Sequence, residues 1–373
     1  MSASLESVQL DVCEQVARHI KSIAPYVPGK PITELARELG LDPLSIVKLA
    51  SNENPLGPSP KGLAAAQASL KEIALYPDGA GFSLKVKLCE RLGLSQENIV
   101  LGNGSNDVLD MAARAFLGSA SSAVYAQHAF AVYPIATLTA GAKGIETPAR
   151  NYGHDLAAMR SAIREDTRVV WIANPNNPTG TFLPWKEVEA FIQSVPRSVL
   201  IVLDEAYGEY LPPGDRFDTV TWLSRYPNLL IVRTFSKAYG LAGLRIGYGI
   251  ARPDVIDLLN RVRHPFNVNL VALAAAEASL DDQAFLDQSY EVNASGMKQL
   301  VEGLGKLGID HVPSKGNFLL AKVGEAACIN AELLKRGVIV RPVANYGLPE
   351  FLRVSVGLKE QNARFLDALS ACL

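Results

Sequence analysis

Short runs of apolar, often β-branched residues alternate with longer amphipathic stretches through the middle of the chain. The apolar runs predict strands at 98–102, 122–125, 168–173, 199–203 and 229–233. Helical patterns lie between them at 107–117, 133–140 and 185–195. Strands that are apolar throughout are typical of a parallel sheet with both faces covered. The pattern therefore predicts an α/β fold with a mostly parallel sheet sandwiched by helices.

The alternation of apolar strands and amphipathic helices ends at about residue 267. An Ala-rich helical stretch is followed by short strand candidates at 318–323, 337–341 and 351–356, which is typical of a smaller α+β domain. At about 150 residues per domain, 373 residues also favour two or three domains. We predict an N-terminal arm at 1–50 that packs with the small domain, a large domain at 51–266 and a small C-terminal domain at 267–373.

Composition narrows the function classes. Hydrophobic residues make up 48% of the chain and charged residues 20%, which excludes a disordered chain. Lys and Arg total 36 against 38 for Asp and Glu, so nothing predicts the basic face that nucleic-acid binding needs. No apolar run approaches the ~18 residues of a membrane span. We expect neither nucleic acid nor membrane as a partner.

The cysteines and the N-terminus indicate a cytoplasmic protein. The four cysteines are scattered without a CxxC pair, which argues against a zinc site or a disulfide framework. Glu6, Asp11 and Glu14 lie where a signal peptide would be basic and then apolar. The histidines show no ligand spacing, so no metal is predicted.

Ligands of parallel sheets bind at the carboxyl ends of the strands, so the residues that follow each strand are candidates. Strand 98–102 is followed by Asn103-Gly104-Ser105-Asn106, which could be a phosphate-binding turn or an ordinary capped turn. Strand 168–173 is followed by 174–180 (NPNNPTG), a rigid loop that could orient a ring oxygen with its Asn side chains.

Charged residues follow the next two strands. Asp204 follows the run 199–203 and could pair with a cationic ring nitrogen, cap a helix or join a buried ion pair. Lys237 follows 229–233 in an apolar setting that can make its amine a nucleophile, although a lone lysine is usually solvated. Arg245 is available for a phosphate. An amine, an acid and an anion site together match the needs of pyridoxal phosphate.

With these residues the sequence resembles the fold-type I pyridoxal-phosphate enzymes, and among them the histidinol-phosphate aminotransferases. The resemblance covers nearly the whole chain. Its motifs are PYVPGKP at 25–31, KLASNENP at 48–55, YPDG at 76–79, NPNNPTG at 174–180, DEAY at 204–207, FSKAYGLAGLRIGY at 235–248 and FLRVSVG at 351–357. It implies that residues 51–266 form the domain that binds pyridoxal phosphate.

The resemblance also implies roles for the catalytic and cofactor-binding residues. Lys237 would form the Schiff base and shuttle the proton, and Asp204 would hold the pyridinium nitrogen protonated. Asn177 and Tyr207 would contact the 3-oxygen of the ring. The remaining cofactor residues would be the stacking Phe130, where many relatives carry Tyr, and the phosphate-binding Ser105, Asn106, Ser236 and Arg245.

Tyr76 would reach the phosphate in the site of a neighbouring subunit, so the resemblance implies a homodimer. Substrate binding would fall to Tyr26, Asn52, Arg341 and Arg353. Arg341 could instead form a surface ion pair.

The implied activity is histidinol-phosphate:2-oxoglutarate transamination in histidine biosynthesis. Its small-molecule substrates would be an amino donor and 2-oxoglutarate or glutamate. The alternatives are an aromatic amino-acid aminotransferase, a phosphothreonine-type decarboxylase and a cofactor-binding regulatory module.

Overall fold

The structure, a computed structural model, describes residues 11–373, so the first ten residues of the predicted arm lie outside the described part. Its helices are α1 (Arg18–Lys21), α2 (Ile32–Leu39), α3 (Pro60–Ser69), α4 (Phe82–Leu92), α5 (Ser105–Phe116), α6 (Val132–Thr139), α7 (Leu156–Ala162), α8 (Trp185–Ser194), α9 (Pro253–Val262), α10 (Leu270–Ser279), α11 (Gln283–Lys306), α12 (Ala326–Lys335) and α13 (Lys359–Ser370).

Its strands are β1 (Val47–Lys48), β2 (Ile99–Gly102), β3 (Ser122–Ala126), β4 (Lys143–Thr147), β5 (Ala149–Arg150), β6 (Gly153–His154), β7 (Thr167–Ala173), β8 (Leu200–Asp204), β9 (Leu229–Thr234), β10 (Gly247–Ile250), β11 (His311–Val312), β12 (Phe318–Lys322), β13 (Val338–Ile339), β14 (Arg341–Pro342) and β15 (Phe351–Ser355).

The largest sheet has seven strands in the order β2-β10-β9-β8-β7-β3-β4. Strand β10 runs antiparallel to both of its neighbours, while β9, β8, β7, β3 and β4 pair in parallel. Along β8, Ile201 and Leu203 belong to one hydrophobic core, and Leu200 and Val202 belong to another. Because alternate side chains of a strand point to opposite faces, this sheet is buried on both faces. The predicted α/β fold with a mostly parallel, helix-covered sheet is confirmed.

A second, antiparallel sheet has the strand order β11-β12-β15-β14. Its core contains apolar residues of α11, α12 and α13, among them Leu300, Leu333 and Phe365. Strand β1 pairs in parallel with β13, so the end of the predicted arm contacts the C-terminal part of the chain.

Helices α10 and α11 lie near the predicted domain boundary at residues 266 and 267. Ala272, Ala275 and Ala276 of α10 are buried in the core of the large sheet. Helix α11 contributes Leu286 to that core and Leu300 to the core of the small sheet. The boundary stays a prediction, with α10 packed on the side of the large domain.

The predicted strand at 337–341 is two short strands in the structure. Strand β13 pairs with β1, whereas β14 pairs with β15 of the small sheet. Strand β10, which was not predicted from the sequence, inserts between β2 and β9. None of the helices within residues 11–373 is both long and apolar enough to cross a membrane.

Candidate active site

A cavity opens at the carboxyl edge of the large sheet, and the small sheet and the segment around Tyr26 close its other side. Strands β7, β8 and β9 end at this edge, which brings together residues far apart in sequence. The predicted site residues that line it are Tyr26, Asn52, Ser105, Asn106, Phe130, Asn177, Asp204, Tyr207, Ser236, Lys237, Arg245, Arg341 and Arg353. Of the predicted set, Tyr76 alone is absent from this lining.

Lys237 follows β9 and directs its amine into the cavity. Its Nζ donates a hydrogen bond of 3.2 Å to the backbone oxygen of Ser51 and lies 5.8 Å from the centre of the Tyr207 ring. Burial, and next the positive charge of Arg353, lower the pKa of Lys237 from 10.5 to about 8. A larger fraction of neutral amine makes Lys237 a better nucleophile near neutral pH.

Asp204 ends β8 and is 5% exposed. Its Oδ2 accepts a hydrogen bond of 2.9 Å from the Tyr133 hydroxyl, and its Oδ1 accepts one of 3.1 Å from the Ala206 amide. Burial raises the pKa of Asp204 to about 6. No Lys, Arg or His within residues 11–373 forms a salt bridge with this carboxylate. A buried carboxylate with only neutral donors is suited to a cationic ligand atom.

The predicted phosphate-binding turn lies at the start of α5. Gly104 precedes the helix at φ 78° and offers no side-chain cap. The N–H groups of the first two residues of α5 are therefore available to an anion, whereas the Asp107 N–H bonds to the Gly104 oxygen at 3.2 Å. A Cβ on Gly104 would collide with the Arg245 guanidinium. Arg245 Nη1 in turn donates a hydrogen bond of 3.3 Å to Ser236 Oγ. Backbone donors, a guanidinium and hydroxyls converge on one spot, which fits a phosphate.

Asn52 and Tyr207 are joined inside the cavity. Asn52 Nδ2 donates a hydrogen bond of 3.0 Å to the Tyr207 hydroxyl, and the backbone N–H of Asn52 donates one of 2.8 Å to Ser355 Oγ. Asn52 adopts φ 54°, in the left-handed region that Asn tolerates better than most residues. Burial raises the pKa of Tyr207 to about 12, so its hydroxyl stays protonated at neutral pH.

Arg341 and Arg353 lie on the small-domain side of the cavity, and each is 8% exposed. Arg341 Nη2 donates to the backbone oxygen of Val27 at 2.5 Å, and Arg353 Nη2 donates to that of Ala50 at 2.6 Å. Arg353 Nε is buried without a partner in the described residues. The surface ion pair considered for Arg341 is wrong, because this side chain is buried and has no salt-bridge partner among residues 11–373. Two buried guanidinium groups without carboxylates are suited to an anionic substrate group.

Phe130 and Tyr76 have different environments. Phe130 lines the cavity and meets the Tyr133 ring edge-on, with centroids 5.8 Å apart and planes at 89°. Tyr76 is 83% exposed and stacks on Phe266 at a centroid distance of 4.8 Å. The structure therefore places Tyr76 on the surface of this chain.

Tyr133 is a site residue that the sequence reasoning missed. It lines the cavity and is bonded to Asp204. In the sequence Tyr133 is one residue of the apolar helical stretch 133–140, and no pattern there marks it as a site residue. In the part of the chain that the structure describes, no group of three or more His, Cys, Asp or Glu side chains could hold a metal ion.

Comparison with known proteins identifies the family. The model of aminotransferase class I and II matches residues 45–369. The chain belongs to this family. A histidinol-phosphate aminotransferase of Thiobacillus denitrificans is 73% identical over 355 residues, which are 95% of this chain and 92% of that protein. A second, from Dechloromonas aromatica, is 59% identical over 98% of this chain and 100% of its own length.

A solved aminotransferase structure has the same fold. The histidinol-phosphate aminotransferase of Sinorhizobium meliloti, in complex with pyridoxal-5'-phosphate, superposes with a TM-score of 0.88 at 29% identity. The match covers 96% of this chain and 97% of that chain. The predicted resemblance to the aminotransferases is confirmed.

The cavity of this aminotransferase fits pyridoxal phosphate by the chemistry of its donors. Lys237 offers an amine, and Asp204 offers a carboxylate that pairs with no cation among residues 11–373. The first two N–H groups of α5 lie beside Arg245 and are available to an anion. A cofactor with an aldehyde, a basic ring nitrogen and a phosphate has a matching partner for each group.

Proposed function

We propose that this aminotransferase binds pyridoxal phosphate and transfers the amino group of histidinol phosphate to 2-oxoglutarate, a step of histidine biosynthesis. The relatives with 73% and 59% identity carry the name of this activity. The single structural observation that carries the proposal is the pair of buried guanidinium groups of Arg341 and Arg353, which have no carboxylate partner in the described part of the chain.

Pyridoxal phosphate, when bound, supplies an aldehyde for the substrate amine and a ring that stabilises negative charge on the substrate carbon. Lys237 carries out the proton transfers. With its pKa lowered to about 8, its amine could take the proton from the substrate carbon and deliver it to the cofactor carbon that carried the aldehyde. Asp204 would hold the ring nitrogen of the cofactor, and its negative charge would favour the protonated form of that nitrogen.

The polar residues around the ring hold it in place. We assign Tyr207 and Asn177 to the 3-oxygen, since both present polar atoms within the cavity. Phe130 covers the ring face. Ser105, Asn106, Ser236 and Arg245 bind the cofactor phosphate, and the last two are already hydrogen-bonded to each other.

The arginine pair selects the substrate. Arg353 and Arg341 bind the phosphate of histidinol phosphate in one half-reaction and the carboxylates of glutamate in the other, because a guanidinium suits both anions. Tyr26, whose ring lies 5.7 Å from the Arg341 guanidinium carbon, and Asn52 complete the substrate pocket.

We also propose a homodimer in the cytoplasm. Six large apolar side chains are exposed within 63–82, and Phe266, on which Tyr76 stacks, is exposed as well. Exposed apolar residues in such number along this segment favour an interface with a second copy of the chain. Exposed free thiols at Cys13 and Cys328 fit a reducing compartment.

Side-by-side turnover tests the proposal. The measurement is kcat/KM of the purified protein with pyridoxal phosphate, 2-oxoglutarate and, in turn, histidinol phosphate, histidinol, phenylalanine and phosphothreonine. We expect histidinol phosphate to give the largest value by at least about tenfold, the effect of one good charged contact. A preference for phenylalanine, or carbon dioxide release from phosphothreonine, would overturn it.

A further inference from the structure

Tyr133 lies on α6 with its side chain fully buried. Its hydroxyl donates a hydrogen bond of 2.9 Å to Asp204 Oδ2. The other carboxylate oxygen, Oδ1, accepts from the Ala206 amide at 3.1 Å. Two donors on two different oxygens fix the plane of the carboxylate.

The Tyr133 ring is itself held by its neighbours. It stacks on Trp171 with centroids 5.4 Å apart and planes within 4°. Trp171 Nε1 donates to Thr137 Oγ1 at 3.1 Å, which ties the pair back to α6. The Phe130 ring also contacts the Tyr133 ring, with their planes at 89°. A ring packed on two sides and bonded at its tip has little freedom to leave Asp204.

We infer that Tyr133 is a positioning residue that acts through Asp204, holding the carboxylate oriented and ionised for the ring nitrogen of the cofactor. This inference rests on the proposed function, because it assigns the ring nitrogen to Asp204. Tyr133 itself takes no part in the making or breaking of bonds in the reaction.

The electrostatics around Asp204 agree with this role. The groups that act on it are Tyr133 from α6, the adjacent Glu205, Lys237 from the segment after β9, and Tyr207. Burial raises the pKa of Asp204, whereas the hydrogen bond from Tyr133 is the largest effect that lowers it. Burial also raises the pKa of Tyr133 well above its usual value, so the hydroxyl keeps its proton and remains a donor.

The test compares Tyr133→Phe with the wild type and with Tyr125→Phe as the matched control. Tyr125 is also buried, lies on β3 and does not line the cavity. The first readout is the pKa of the Asp204 carboxyl group. It is measured by carbon-13 NMR on the full chain, with and without pyridoxal phosphate. Without cofactor we expect the Tyr133→Phe titration to move up by about 1 pH unit, the scale of one hydrogen bond to a charged group.

The second readout separates kcat from KM. Tyr133→Phe should lower kcat by about tenfold and leave KM for histidinol phosphate within about twofold, because the lost contact does not touch the substrate. In an Asp204→Asn background the same change should have almost no further effect on kcat, since Tyr133 acts through Asp204. The control Tyr125→Phe should change none of these values.

An unshifted Asp204 titration in a folded Tyr133→Phe protein would overturn the inference. Equal kcat losses in the wild-type and Asp204→Asn backgrounds, or the same losses in Tyr125→Phe, would do so as well. The titration without cofactor does not depend on the substrate. If the wild type failed to use histidinol phosphate, the proposed function would be wrong. The titration would still show whether Tyr133 acts on Asp204.

Discussion

Asn177 and Arg353 are joined by a hydrogen bond of 2.7 Å from Arg353 Nη1 to Asn177 Oδ1, although 176 residues separate them. Asn177 lies in the loop after β7 of the large sheet, and Arg353 lies on β15 of the small sheet. With Oδ1 engaged, the Asn177 side chain has its Nδ2 group left to donate to the proposed 3-oxygen. The bond therefore links the proposed cofactor contact to the proposed substrate contact.

Replacement of Lys237 tests the covalent role of its amine. Borohydride treatment of the yellow protein should fix pyridoxal phosphate to the peptide that carries Lys237, and mass spectrometry identifies that peptide. Lys237→Ala should still bind the cofactor but lose turnover by several orders of magnitude, because the nucleophile and the proton carrier are removed together. Labelling of any other lysine would contradict the assignment.

Replacement of Asp204 by Asn tests its charge. The ring nitrogen would lose the partner that keeps it protonated, so proton abstraction should slow by about 10²-fold or more. The substrate carbon–hydrogen isotope effect on kcat should grow, since this step becomes more limiting. Turnover close to that of the wild type would make Asp204 a structural residue.

The pH dependence of stability gives a second test of Asp204, in the protein without cofactor. Its folded pKa of about 6 lies above its ordinary 3.8, so the folded state holds the proton more tightly than the unfolded state. Stability should therefore fall as pH rises from about 4 to 6 and stay lower above it. Asp204→Asn should remove this loss and be more stable at pH 8 by about 1–3 kcal/mol, as measured by urea unfolding. A variant less stable than the wild type at pH 8 would contradict this prediction.

Sharing of sites between subunits is tested by mixing two inactive variants. Tyr76 is exposed on its own chain and is proposed to serve the partner's site. Lys237→Ala mixed with Tyr76→Ala should recover part of the activity after subunit exchange, because one site of a mixed dimer keeps both residues. Size-exclusion of differently tagged chains checks the exchange. No recovery from verified mixed dimers would indicate sites contained within one chain.

Arg341→Lys tests what the arginine pair binds. The variant keeps the positive charge but loses the forked geometry that suits a phosphate. It should cost about 1.5–3 kcal/mol in kcat/KM for histidinol phosphate and much less for unphosphorylated histidinol. Equal losses on both substrates would argue against a phosphate contact at Arg341.

The sequence by itself determined the α/β fold, the positions of the main strands and the family. Apolar runs such as 229–233 are strands because their side chains are buried on both faces, and this is visible in a linear pattern. The residues that follow these strands, Asp204 and Lys237 among them, could be placed in one site because parallel strands end at a common edge.

Tertiary structure decided the contacts between these residues. Strand β10 inserts between β2 and β9, and 337–341 divides between two sheets, because pairing partners come from distant segments. Tyr133 reads in the sequence as one more residue of an apolar helix. Only the packing of α6 against the sheet brings its hydroxyl to Asp204, and hydrogen bonds between distant segments leave no periodic signal in a single sequence.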